Sequence, residues 1–235
     1  MASSDPTAPP AGGRRGRPWR AAGAAVVVLL AMVGTGMIGA SVRTVPPPRP
    51  PQPTAQAGPA GAGPETADQP STDTVDPVIA PAGLPRSTPT TISIPRIGVN
   101  AEIMTLGTHP DGTVQVPPLD QAQRAGWYSP GASPGEVGNA VIVGHVDSAE
   151  VGPAVFFNLG SLKPGDAISV VREDGSKATF IVESVTSYPK TSFPTELVYG
   201  PSDRPSLRVV TCGGVFDQSA GSYLDNIIAF ATMTA

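Results

Sequence analysis

The sequence predicts an all-β domain, a barrel or sandwich of about eight short strands, carried outside a membrane on a single span. Three observations predict it. Residues 91–235 are a series of short alternating apolar runs between Gly, Pro and Asp-Gly turns. Helical periodicity is nearly absent there. Near the start of the 235-residue chain, residues 21–40 form an uncharged apolar stretch.

Residues 1–20 are small and polar, with Arg14, Arg15, Arg17 and Arg20 against one acid, Asp5. This segment reads as a basic cytoplasmic tail. Twenty helical residues at about 1.5 Å each cover about 30 Å, the thickness of the bilayer hydrocarbon, so 21–40 reads as a transmembrane anchor. The arginines precede it, which places the N-terminus in the cytoplasm and the rest of the chain outside. A cleaved signal peptide is the alternative, with small residues at Gly39-Ala40-Ser41. Either way the remainder is exported.

Residues 41–90, rich in Pro, Ala, Gly and Thr, bury too little apolar surface to offset their chain entropy. They are expected to form a disordered, semi-rigid stalk without activity of its own. About 145 residues, 91–235, remain for one domain of ordinary size. The net charge of −4 and the scattered basic residues after the anchor exclude a nucleic-acid binder. One cysteine excludes an internal disulfide. No cofactor motif and no metal-ligand cluster is visible.

Within the domain, Thr91–Pro95 and Ala101–Leu106 alternate as half-buried strands, and His109-Pro110-Asp111-Gly112 is a turn. Val114-Gln115-Val116 reads as a short strand. Asn139–His145 is continuously apolar up to its last residue, as a central strand would be. Ala167–Arg172 and Ala178–Val185 flank the hairpin turn Glu173-Asp174-Gly175-Ser176. A strand from Leu207 ends in a turn at Gly213-Gly214, and Asn226–Met233 closes the chain. Short helical turns are expected near 154–162 and 192–198.

Two residues carry candidate chemistry. Cys212, at a strand end beside two glycines, is either an inert side chain or a nucleophile. A thiol nucleophile needs a base or a cation nearby. Of the two histidines, His109 sits in a solvent-facing turn, whereas His145 ends an apolar strand. The alternative for His145 is a residue that only caps the strand.

Gly144-His145-Val146-Asp147, followed 67 residues on by Thr211-Cys212-Gly213-Gly214, resembles the sortase family. Gly126-Trp127-Tyr128, Phe156-Phe157-Asn158-Leu159 and Tyr223 with Asp225-Asn226 extend the resemblance, most nearly to actinobacterial sortases of class E or F, and of these to class F. The resemblance implies an eight-stranded β-barrel and a cysteine transpeptidase. Cys212 would attack the Thr–Gly bond of an LPXTG-like sorting signal and form a thioester. His145 would donate a proton to the leaving amine and accept one from the incoming amine. The implied partners are surface proteins bearing sorting signals, a peptidoglycan-precursor amine, and the membrane through residues 21–40.

The family also has an arginine downstream of the cysteine that stabilises the oxyanion. Neither Arg nor Lys follows Gly213, and Leu224 stands where a basic residue is expected. The third catalytic residue is therefore unassigned. Arg124, Arg172, Arg204 and Arg208 are other donors, and backbone amides around Gly213-Gly214 or the side chain of Gln218 are substitutes. An L,D-transpeptidase is disfavoured because Thr211 precedes Cys212 and no arginine follows it. A barrel without catalysis that binds wall polymers or proteins is the remaining alternative.

Overall fold

A computed structural model describes residues 48–56 and 82–234. The expected basic tail, the expected anchor and most of the expected stalk lie outside the described residues. Among the described residues no helix is long and apolar enough to cross a membrane.

The strands in chain order are β1 Ala55–Gln56, β2 Pro89–Ile94, β3 Val99–Leu106, β4 Ala125–Tyr128, β5 Gly138–Val143, β6 Asp147–Ser148, β7 Gly152–Pro153, β8 Ala167–Arg172, β9 Lys177–Pro189, β10 Pro205–Asp217 and β11 Ser222–Met233. The main sheet runs β1-β9-β11-β10-β5-β4-β3-β2-β8, and β8 also bonds to β9. That last pairing closes eight strands, β2–β5 and β8–β11, into a barrel. Strand β1 lies outside the ring, added in parallel to the edge of β9 at Thr186 and Ser187. Within the barrel, β3–β4 and β5–β10 are parallel and the other pairs are antiparallel.

Alternation fills the interior. Ile92 and Ile94 of β2, Ile168 and Val170 of β8, Phe180 of β9, Leu207 and Val209 of β10, and Ile227 and Ala229 of β11 all point inward and are buried. Strand β5 is apolar along its whole length because both its faces are covered. Ala140 and Ile142 face the interior. Val141 and Val143 face a second cluster outside the barrel, where Val198 of the helical turn Thr195–Tyr199 packs on them with Val210 and Ile228.

Several elements differ from expectation. Val114–Val116 is no strand; Val114 makes a single bridge to Thr108 because the surrounding prolines and the His109–Thr113 turn leave no ladder to join. Strand β4 was hidden by its glycine and its brevity. The short turns appear as Leu159–Ser161, Lys190–Ser192 and Thr195–Tyr199. The packed unit also reaches further toward the N-terminus than residue 91. The backbone amide of Leu84 donates to Gly135 O at 2.8 Å. Arg86 donates to Ser129 O and Gly131 O and stacks over Trp127 at 5.2 Å. Residues 48–56, expected to be stalk, lie against the barrel as well.

Candidate active site

Cys212 lies inside β10, which continues to Asp217 rather than ending at the two glycines as expected. The glycines form an irregularity: the β10–β11 register shifts between Gly213 and Phe216, and Gly214 has φ +77°. Only glycine fits there. A Cβ on Gly213 would lie 2.5 Å from the Ile227 side chain, and one on Gly214 would lie 2.7 Å from the Asp225 carboxyl group.

The parallel pairing of β5 and β10 sets the His145 and Cys212 positions side by side. Val143 is the partner of Val210. The ladder continues one step, with the Gly144 amide donating to Val210 O at 3.1 Å. The Thr211 hydroxyl then donates to Gly144 O at 2.8 Å. His145 and Cys212 each stand two residues beyond the Val143–Val210 pair, at the same end of neighbouring strands about 4.8 Å apart. Both are half-buried. Gly144 lets the Phe156 ring pack against the backbone, since a Cβ would meet it at 2.5 Å.

His145 Nε2 lies 2.6 Å from Pro117 O. A carbonyl only accepts, so Nε2 carries the proton and donates it, leaving Nδ1 as the proton-accepting nitrogen of the neutral ring. Two residues on, Asp147 accepts a hydrogen bond from the Tyr223 hydroxyl. Burial first, then the hydrogen bond to Asp147, the charge of Asp147 and the nearby Cys212, hold the Tyr223 phenol well above its ordinary pKa. Tyr223 packs edge-on to Phe216, with ring centroids 5.1 Å apart. This Asp147–Tyr223 link between the His145 loop and β11 went unread in the sequence, although both residues stood in the quoted motifs.

The residue opposite Cys212 on β11 is Asn226. Val210 and Ile228 pair two positions earlier and share the outer cluster, so Asn226 is on the thiol's face and adjacent to it. Leu224, where the resemblance leads one to expect a basic residue, is not the residue paired with Cys212. Leu224 lies two residues further along and is half exposed.

The four other arginines are committed elsewhere. Arg124 pairs with Glu102 and Gln121, and Arg204 with Glu183. Arg172 is fully buried, donates to Pro85 O and pairs with Asp174. Arg208 shares the outer face, but it lies over Phe230 at 5.0 Å and donates to Leu197 O and Leu207 O. Gln218 is exposed at the tip of the β10–β11 hairpin, six residues past Cys212. His109 is exposed and stays in its turn. The Gly214 amide is occupied: it donates to Gln52 Oε1 at 2.9 Å.

The face that carries the thiol is apolar. Val143, Val210 and Ile228 form its floor, and Tyr188, Phe193 and Tyr199 pack beside them, partly exposed. Phe193 and Tyr199 lie 6.1 Å apart, and Tyr199 meets Tyr128 edge-on at 5.3 Å. An extended peptide with apolar side chains could lie on this face with its carbonyl carbon at Cys212.

The family model for the sortase domain matches residues 92–234. The chain belongs to the sortase family. Solved structures to which this sortase is similar include a sortase D5 transpeptidase from Clostridium perfringens, 23% identical with a TM-score of 0.46, covering 63% of this chain and 79% of that one. Sortase A from Corynebacterium diphtheriae is 20% identical with a TM-score of 0.46, covering 64% and 62%. Sortase C-1 from Actinomyces oris is 19% identical with a TM-score of 0.47, covering 62% and 73%. No curated protein matches the chain. The sortase domain is a transpeptidase fold, and its members act on sorting signals and amine nucleophiles.

Proposed function

We propose that this sortase is a membrane-anchored, extracellular cysteine transpeptidase, nearest to class F within the class E and F type. In this reading it cleaves an LPXTG-like sorting signal between Thr and Gly and joins the released surface protein to a cell-wall precursor amine. The observation that carries the reading is the equivalent placement of His145, two residues past the end of β5, and Cys212 on the parallel strand β10 of a sortase domain. Anchoring through residues 21–40, with the N-terminus in the cytoplasm, is supported by the uncharged stretch and the arginines before it.

In the first half-reaction the Cys212 sulfur, as thiolate, attacks the Thr carbonyl carbon. The resulting oxyanion requires donors, and the carboxamide of Asn226 is the side-chain N–H donor directly across the strand pair from Cys212. The C–N bond breaks and the Gly amine leaves with a proton from His145, so the thioester stands on Cys212. In the second, an amine attacks the thioester carbon, His145 takes its proton, and the new amide leaves as the thiolate is restored. No cofactor takes part in these steps.

The test is mass spectrometry of the full-length chain with a library of sorting peptides and an added amine. A thioester adduct on Cys212, its disappearance on amine addition and its absence from Cys212→Ala support the reading; cleavage by Cys212→Ala overturns it. One observation favours a second reading, a catalytically weak barrel that binds wall polymers or proteins: Arg124, Arg172, Arg204 and Arg208 are engaged away from the thiol. Peptide binding without any adduct would select it.

A further inference from the structure

Residues 48–56 have a composition that reads as linker, yet they are fitted to the barrel. Pro50 is buried. The Pro51 carbonyl lies so close over Gly160 that a Cβ there would meet it at 2.1 Å. Ala55 and Gln56 extend β9 by parallel pairing with Thr186 and Ser187. Between these two attachments, the Gln52 carboxamide is fixed at both ends. Its nitrogen donates to Pro50 O at 3.0 Å, and its oxygen accepts from the Gly214 amide at 2.9 Å.

Gly214 is the left-handed residue of the β10 irregularity, two residues after Cys212. Its amide points away from the β10–β11 ladder and meets Gln52 instead. Gly213, between them, has its Cα facing the interior with Ile227 and the Gln52 oxygen as neighbours. Gln52 therefore approaches the catalytic strand from the side opposite the thiol, and it cannot touch a substrate bound at Cys212.

We propose that Gln52 is a positioning residue for the Cys212 chemistry. Its carbonyl oxygen holds the Gly214 amide, fixes the backbone turn after Cys212, and so keeps the thiol aligned with His145 and Asn226. The role in turnover rests on the transpeptidase reading above. Gln52 is itself exposed, so water can partly replace it and the effect is moderate.

Gln52→Met keeps length and removes the acceptor; Gln52→Glu keeps an acceptor oxygen. In the full-length chain, Gln52→Met is expected to lower kcat for sorting-peptide cleavage about three- to tenfold, the size of one solvent-exposed hydrogen bond. KM should stay within about twofold, because the substrate face is untouched. Gln52→Glu should recover most of the rate. Hydrogen exchange at the Gly214 amide should quicken in Gln52→Met and slow again in Gln52→Glu. Alkylation of Cys212 by iodoacetamide needs no sorting peptide and should change in rate in Gln52→Met at constant pH. If the native chain cleaves no peptide but alkylation and Gly214 exchange respond as stated, the transpeptidase reading falls and the positioning role stands. If Gln52→Met leaves both alkylation and kcat unchanged, or if its loss appears in KM and is not recovered by Gln52→Glu, the positioning role is overturned.

Discussion

At Asn226, opposite Cys212, the chain offers a neutral carboxamide rather than a guanidinium. A neutral donor stabilises a developing oxyanion less than a charged one, because charge-assisted hydrogen bonds are roughly twice as strong. It is still well placed, being the direct cross-strand partner of Cys212. Asn226→Ala should therefore lower kcat for peptide cleavage by about 10²-fold while the fold survives, the usual cost of losing one oxyanion donor. Circular dichroism and steady-state kinetics on the same preparation check this, and an unchanged kcat removes Asn226 from the mechanism. Tyr223 gives a pH prediction. Its folded pKa is raised, chiefly by burial and then by Asp147. Folding therefore gains stability from this phenol at neutral pH, and the gain is lost as pH rises through and above the ordinary tyrosine range near 10. Tyr223→Phe should flatten that alkaline loss relative to the native chain in denaturant melts from about pH 8 to 11. Equal slopes would remove the phenol from the balance.

Among the elements, the β10–β11 hairpin decides most. Its irregularity at Gly213–Phe216 shifts the register between the two strands. The resemblance drew attention to Leu224, between Tyr223 and Asp225, whereas the ladder pairs Cys212 with Asn226. No local signal could reveal this, because the shift depends on which residues of β11 the bulge leaves unpaired. Gly214→Ala places a Cβ at φ +77° and within 2.7 Å of the Asp225 carboxyl group. It should destabilise the domain by about 1–3 kcal/mol. Differential scanning calorimetry should show this as a fall of roughly 2–4 °C per kcal/mol. An unchanged Tm would mean that the hairpin tolerates a different register. What was legible came from patterns with one physical meaning. The alternation of Ile92 and Ile94 marked β2, the unbroken apolar run of β5 marked a strand covered on both sides, and Gly144-His145 and Thr211-Cys212 marked two segments that the β5–β10 pairing sets side by side. Strand β4, Ala125–Tyr128, was illegible because four residues with an internal glycine form a strand only when β3 and β5 already flank them. The Asp147–Tyr223 hydrogen bond spans 76 residues and leaves no trace in spacing.

For the whole molecule, the boundary between domain and linker moves. The prolines around Gln52 suggested a solvated spacer, since proline disfavours ladders. Here they present carbonyls and one carboxamide to the barrel, and a two-residue strand suffices to seat them. A chain beginning at residue 82 should consequently melt lower than one beginning at residue 47. The expected difference is a few degrees, from the loss of the Pro50 burial, the Gln52 bonds and the β1–β9 pairing. Coincident melting curves would show that the seat adds no stability.

The neighbours of β10 have one more consequence. It lies between β5 and β11, and β11 in turn bonds to β9. The pair that makes the candidate site spans 67 residues and is completed only by the last third of the chain. During synthesis, β5 and β9 emerge first, each with a side awaiting the C-terminal hairpin. Contacts of such separation form slowly. Cys212 thus reaches its place beside the His145 segment only after the final hairpin has slotted home, so the candidate site is the last part of the barrel to be assembled.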